Sequence, residues 1–101
     1  MTIPTLPPIR LVPEPLSDEA AALLVRPPHV DPVVGTRHRI GGTPDADHDA
    51  PDCPQGDGPM TFYGQLDGLP ATSAYDLADA GLILVFVCFA CFEVEAVLHS
   101  A

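Results

Sequence analysis

The longest apolar stretch of the chain covers residues 82–92, which are all aliphatic, aromatic, Ala or Cys. This stretch is too short for a membrane-spanning helix, which needs about 20 apolar residues. It is rich in β-branched and aromatic side chains, which favour strands. The pattern therefore predicts a strand that is buried on both faces, and it argues against a membrane span.

Shorter alternating patterns predict the rest of a sheet. Residues 33–40 alternate between the two faces of an extended chain, as expected for a strand. Residues 60–66 do the same, and the pattern places these residues on the inner face: Met60, Phe62, Gly64 and Leu66. The alternation of residues 93–98 places Glu93 and Glu95 outward and Val94, Ala96 and Leu98 inward. These residues either extend the preceding strand to a sheet edge or form its hairpin partner.

The first half of the chain is rich in Pro and carries one helix signal. Prolines recur throughout residues 1–16 and predict an extended or disordered arm. Ser17 is a favourable helix N-cap, and residues 18–26 favour a short helix that ends before Pro27. Residues 43–59 contain four Pro and five Asp residues without periodicity, which predicts a long loop.

Together these elements predict one small α+β, β-rich domain over residues 17–101, preceded by the arm of residues 1–16. Its sheet is expected to be mainly antiparallel, with one short N-terminal helix and a long Pro/Asp-rich loop. A chain of 101 residues is near the small end of the range in which one hydrophobic core holds a fold by itself. A second domain is therefore not expected.

The charge of the chain restricts its partners. Fourteen acidic residues against four basic ones give a net charge of −10, which is the wrong sign for neutralising the phosphates of nucleic acids. The same charge suits a basic protein partner, as in an immunity-type protein that binds a basic toxin, or it serves solubility alone. The N-terminus has no apolar core of signal-peptide length, so we predict a cytoplasmic protein that binds neither nucleic acid nor membrane.

The cysteines are the main candidates for chemistry. Cys88 and Cys91 have metal-ligand spacing, Cys53 offers a third thiolate, and His48 or Asp57 offers a fourth ligand for tetrahedral zinc. On a straight strand Cys88 and Cys91 point to opposite faces, so chelation requires a bulge or turn between them. The pattern favours buried cysteines that act as small hydrophobes with no cofactor. Zinc binding and a redox dithiol stay open as alternatives.

The remaining candidates are polar and aromatic residues. Asp45, Asp47 and Asp49 have the spacing of a calcium loop, but Ala and Gly stand where that loop requires Gly and Glu, which favours a solvated acidic loop. Gln65 needs hydrogen-bond partners in a half-buried strand, and Tyr63 on the more exposed face is an interface candidate. We therefore interpret the three aspartates, Tyr63 and Gln65 as interaction candidates, and no residue as catalytic.

Four segments occur in a familiar order: residues 39–44 (Arg-Ile-Gly-Gly-Thr-Pro), Cys53-Pro54, residues 60–67 (Met-Thr-Phe-Tyr-Gly-Gln-Leu-Asp) and residues 79–88. Over residues 35–92 this order resembles the YwqG-like family of bacterial domains. It is also similar to the C-terminal domain of programmed cell death protein 2, which has added Cys pairs. The resemblance implies a β-rich fold, and it supplies no catalytic residues.

Three functions follow as hypotheses. The first is a non-enzymatic protein-interaction module that self-associates, for example as a homodimer, or binds a basic partner. The second is a small structural zinc-binding module that uses Cys53, Cys88 and Cys91. The third is a dimeric enzyme with its site at the subunit interface. We also expect the apolar stretch near Cys91 and Phe92 to be covered by a second subunit or by the N-terminal arm.

Overall fold

A computed structural model describes residues 5–71, Leu77 and residues 81–99. The first four residues of the expected arm and part of the fourth family-like segment lie outside this described portion. In it, no helix is long and apolar enough to cross a membrane. The elements are β1 (Ile9–Arg10), α1 (Asp18–Ala22), β2 (Arg39–Ile40), β3 (Thr61–Asp67), β4 (Leu82–Val87) and β5 (Val94–His99).

The five strands form one sheet in the order β1-β2-β3-β4-β5, and every neighbouring pair is antiparallel. The expected small domain, dominated by an antiparallel sheet and carrying one short helix, is confirmed. The helix begins at the Ser17 cap, whose Oγ accepts from the Ala20 N–H at 3.0 Å, but it ends at Ala22 and not near Arg26. It buries no residue, so packing does not extend it beyond the length that local propensity supports.

The predicted strand over residues 82–92 ends earlier than expected. β4 stops at Val87, and its residues alternate between buried and half-buried positions. A turn follows, in which the Phe92 N–H donates to the Cys88 carbonyl at 2.7 Å and the Cys88 N–H donates to the Glu93 carbonyl at 2.9 Å. The chain then returns as β5, the hairpin partner. The prediction of one long strand buried on both faces is therefore wrong, because apolar composition does not show where a strand turns.

The inner face of β3 also differs from the prediction. A register shift between Phe62 and Gly64 inserts Tyr63 as an extra residue. After this bulge the alternation is reversed, so Gln65 and Asp67 are buried while Leu66 is 46% exposed. The strict alternation expected for residues 60–66 is wrong for this reason.

The strand expected over residues 33–40 is limited to β2. The preceding residues form turns, in which the Asp31 carboxylate accepts from the Val33 N–H at 2.9 Å and the Asp31 carbonyl accepts from the Val34 N–H at 3.1 Å. The Thr36 N–H donates to the Val33 carbonyl at 3.0 Å. An Asp side chain that bonds its own neighbouring backbone competes with strand pairing, which explains the shorter strand.

The two faces of the sheet have different surroundings. The core face carries Leu82, Leu84 and Phe86, which belong to a buried cluster completed by Cys53, Met60, Phe62 and Cys88. Residues 43–59 contribute to its cover, because Ala46 packs against the cluster and the His48 ring centroid lies 6.1 Å from that of Phe86. The open face carries the half-buried residues Ile83, Val85 and Val87 together with the exposed residues Leu66, Val94 and Leu98.

Gly64 is required by the close approach of β2. A Cβ at this position would lie 2.6 Å from the Arg39 carbonyl oxygen, which is backbone and has no room to move aside. Gly64→Ala is therefore expected to lower the free energy of unfolding by about 1–3 kcal/mol, measured by urea denaturation. Gly68→Ala is the matched control, because a Cβ there would meet only Val34 Cγ1 at 3.8 Å. Equal effects of the two substitutions would contradict this account.

Candidate metal centre

Four potential metal ligands converge beside the core face: Cys53, Asp57, Cys88 and Cys91. Their ligand atoms all lie within 4.8 Å of one another. The Sγ atoms of Cys53 and Cys91 are 3.2 Å apart, and Asp57 Oδ2 lies 3.6 Å from Cys53 Sγ and 3.7 Å from Cys88 Sγ. The two pairs of residues come from segments that are more than thirty positions apart in the chain.

The turn after β4 places Cys88 and Cys91 on the same side. Phe92 adopts a positive φ of 65°, which lets the chain reverse direction and re-enter the sheet as β5. The requirement for a turn between the two cysteines is therefore met. Cys88 is buried and Cys91 is half-buried, whereas Phe89, between them, is 55% exposed.

A second tight loop presents the other two ligands. The Cys53 N–H donates to the Gly58 carbonyl at 2.8 Å, and the Gly56 N–H donates to the Cys53 carbonyl at 3.0 Å. Gly56 has φ 83°, a conformation that favours glycine and closes the loop within a few residues. The Gln55 backbone N–H donates to the buried Cys53 sulfur, with 3.4 Å between the nitrogen and Sγ, and this contact orients the side chain within the loop.

The turn after β4 also favours a negative charge on one thiol. The backbone N–H groups of Cys91 and Ala90 lower the pKa of the Cys88 thiol, although burial acts in the opposite direction. This is the arrangement expected at a metal-binding turn, where backbone dipoles stabilise the ligating sulfur.

The neighbouring side chains of Cys53, Cys88 and Asp57 have the opposite effect on the pKa of Cys91, which they raise. The Glu93 N–H favours the Cys91 thiolate, but the Cys53 sulfur, burial and the other members of the cluster together raise the pKa of Cys91 to about 12. Several groups that ionise to anions repel one another at these distances, so only a cation allows all of them to be ionised together.

The donor set and spacing fit zinc. Thiolates select soft or borderline ions such as Zn²⁺, whereas Ca²⁺ and Mg²⁺ take oxygen ligands. With Zn–S distances near 2.3 Å, two tetrahedral ligand sulfurs lie about 3.8 Å apart. The observed spread, from 3.2 Å between two sulfurs to a limit of 4.8 Å for the whole set, brackets this value.

The structure places the two alternatives for a fourth ligand in different surroundings. Asp57 joins the three cysteines. The His48 ring lies against Phe86 and His99, with ring centroids 6.1 and 6.0 Å away, and His48 does not belong to the cluster.

The interaction candidates are dispersed. Asp47 and Asp49 are exposed, and Tyr63 is 39% exposed with its ring centroid 6.4 Å from that of Phe89. Asp45 pairs with Arg39 at 3.0 Å. Gln65 is 1% exposed and bonds within the fold: its Nε2 donates to the Arg37 carbonyl and to Asp45 Oδ2, each at 2.8 Å, and its Oε1 accepts from the Asp45 N–H at 3.1 Å.

A buried ion pair between Arg37 and Asp67 lies at the C-terminal end of β3. The sequence pattern did not indicate it. Both carboxylate oxygens of Asp67 accept from the Arg37 guanidinium, at 2.7 and 2.8 Å. Asp67 also accepts from the backbone N–H groups of Gly35, Arg37 and Gly68, and its own N–H donates to His38 Nδ1 at 3.0 Å. In the sequence Asp67-Gly68 has the pattern of a turn, which gave no signal that this carboxylate is buried.

Comparison of the chain with protein-family models, with curated proteins and with solved structures gives no match. The resemblance to the YwqG-like family stays a hypothesis, and the function has to be argued from the geometry of the chain itself.

Proposed function

We propose that Cys53, Asp57, Cys88 and Cys91 bind one zinc ion and that the protein is a small, non-enzymatic, zinc-stabilised module. The observation that supports this proposal is the convergence of three thiols and a carboxylate, from two separate tight turns, within 4.8 Å. All three cysteines of the chain belong to this cluster. A reducing compartment such as the cytoplasm would keep them reduced and able to bind metal.

The proposed role of the ion is structural. It would connect the loop over residues 52–59, which has no strand or helix beyond the isolated Asp52–Pro59 bridge, to the β4–β5 hairpin. Four protein ligands close a tetrahedral site, and closed sites are typical of structural zinc, because catalytic zinc retains a position for water or substrate.

The proposal predicts the metal content of the protein. Protein purified without chelator is expected to contain about one zinc per chain by elemental analysis, as one tetrahedral site requires. Cys53→Ser and Cys91→Ser are expected to lose most of it, because a serine hydroxyl does not ionise at neutral pH. His48→Ala is the control and is expected to retain zinc, since His48 lies outside the cluster.

Asp57 gives a sharper test of the fourth ligand. Asp57→Cys is expected to bind zinc at least as tightly as the natural chain. Asp57→Ala is expected to bind it more weakly, because one of the four ligands is lost; competition with a chromophoric chelator measures both affinities. Zinc below one tenth of an equivalent in freshly reduced protein would eliminate the proposal.

The open face of the sheet supports a second, compatible role in protein interaction. Leu66, Val94 and Leu98 are 46%, 61% and 53% exposed, and they lie in one continuous patch with the half-buried side chains of β4. Contiguous exposed apolar patches on small proteins mark interaction sites. We therefore infer that the zinc-stabilised sheet serves as a binding surface for protein.

A further inference from the structure

We propose that the partner of this surface is a second copy of the chain, paired through β5. The inference deepens the interaction role proposed above by naming the partner, and it does not depend on the zinc proposal. β5 is the last strand in the sheet order, and within the described residues no strand pairs with its outer edge. An unpaired edge presents backbone N–H and C=O groups that another strand can pair with.

The sequence of β5 is self-complementary in one antiparallel register. Two copies related by a twofold axis through Val97 place Val97 opposite itself and Ala96 opposite Leu98 of the partner. The same register places Glu95 opposite His99 of the partner, twice per dimer. A histidine ring always carries at least one N–H, so each of these pairs provides a donor for a carboxylate.

The side chains lie on the correct faces for this register. Glu95, Val97 and His99 pair across the sheet with Phe86, Leu84 and Leu82, so all three project from the core face. Residues directly opposite in an antiparallel pair share a face, and their Cβ atoms are about 4.5–5.5 Å apart. The neighbouring registers do not pair Glu95 with His99. A twofold axis through Glu95 places the two Glu95 carboxylates opposite each other, and an axis through Ala96 places Glu95 opposite Val97 of the partner.

The open face continues across the same junction. Val94, Ala96 and Leu98 lie on this face beside Val87, Val85 and Ile83. In the dimer, Leu98 of one copy lies next to Ala96 of the other, so two exposed apolar patches become one and β5 moves from the edge of the sheet to its centre. The net charge of −10 per chain opposes association, which makes the hydrogen bonds between Glu95 and His99 the decisive local attraction.

The test is analytical ultracentrifugation of the full chain as purified, from micromolar to millimolar concentration, at about 0.15 M salt, where charges are screened beyond about 8 Å. A reversible monomer–dimer equilibrium is expected. Glu95→Arg and His99→Glu are each expected to weaken dimerisation about tenfold. Glu95→Arg removes both carboxylate acceptors, and His99→Glu places two carboxylates opposite each other in both pairs. The combined variant Glu95→Arg/His99→Glu restores opposite charges and is expected to recover dimerisation.

Glu93→Arg is the matched control, because it makes the same charge change outside β5 and is expected to change the dimer dissociation constant less than twofold. Hydrogen exchange of the unmodified protein provides a measurement without variants: amide protection confined to β5 should rise with concentration. A monomer at every concentration, or a dimer that neither single substitution weakens, overturns the inference. Zinc content measured on the same samples keeps that result separate from the zinc proposal.

Discussion

Cys88→Ser is expected to abolish zinc binding and to lower the melting temperature by about 16–32 °C. A ligand present at 1,000 times its dissociation constant stabilises a protein by about 4 kcal/mol, and each kcal/mol corresponds to about 4–8 °C in a domain of this size. Cys88 is buried and belongs both to the ligand cluster and to the core, so its substitution removes the connection between the loop and the hairpin. Differential scanning calorimetry measures the effect directly.

The zinc contribution has to be separated from the loss of a buried thiol. The melting temperature of the natural protein is expected to fall when a chelator is added and to recover with zinc, whereas that of Cys88→Ser should respond to neither. Asp52→Ala is the matched control for Asp57→Ala, because both residues are exposed in the same loop and only Asp57 belongs to the cluster. If a chelator leaves the melting temperature of the natural protein unchanged, zinc does not stabilise this fold.

Arg37→Leu is expected to lower the free energy of unfolding by about 3–5 kcal/mol at pH 7. The Asp67 side chain is fully buried, and the Arg37 guanidinium donates to both of its carboxylate oxygens, at 2.7 and 2.8 Å. Removing the guanidinium leaves a buried carboxylate without its counter-charge. Arg26→Leu is the control: Arg26 is exposed and its guanidinium donates to the Val34 carbonyl, so a loss of about 0.5 kcal/mol or less is expected.

The pH dependence of this effect follows from Asp67. Burial alone would raise the pKa of Asp67, but the Arg37 side chain and the backbone N–H groups of Gly68 and Arg37 together lower it below its ordinary value. A carboxyl whose pKa is lower in the folded state stabilises the protein above the unfolded pKa, near 3.9, and this contribution is lost as the pH falls through the folded value. In Arg37→Leu burial dominates and the pKa of Asp67 rises.

The difference in stability between the natural protein and Arg37→Leu should therefore be largest above the pKa of Asp67 in the variant. It should shrink as the pH falls from there towards the lowered pKa of Asp67 in the natural protein. Urea denaturation of both proteins at several pH values measures it. A difference that stays constant down to pH 3 would mean that Asp67 is not the group responsible.

The candidate ligands show how far sequence reasoning could reach. The spacing of Cys88 and Cys91, with Cys53 as a third thiol and Asp57 as one of two fourth ligands, named all four members of the cluster. It could not choose between Asp57 and His48, because that choice depends on how the loop folds over the core face. The sequence pattern also favoured the interpretation that the cysteines are buried without a metal, because a straight strand would have separated Cys88 from Cys91.

On the open face, by contrast, the sequence pattern assigned the wrong residues to the interior. The alternation of residues 93–98 was interpreted with Val94 and Leu98 inward, but both are exposed, and Val97 packs against the core. A period of two identifies a strand and separates its residues into two sets. Which set is buried depends on the partner strand, whose register is a tertiary property.

Residue types and local periodicity by themselves indicated an antiparallel, β-rich domain with one capped helix, and they identified the candidate zinc ligands. These properties depend on interactions between residues close in sequence: alternation, an N-cap, the extended preference of β-branched side chains. Only the tertiary structure decided where the apolar stretch turns, which fourth ligand joins the cysteines, that Asp67 and Gln65 are buried, and which face of the sheet stays open. Each of those outcomes depends on a bulge, a turn or a contact between segments that are distant in the sequence. The free energy of such a feature depends on both segments, so the pattern of one segment alone does not predict it.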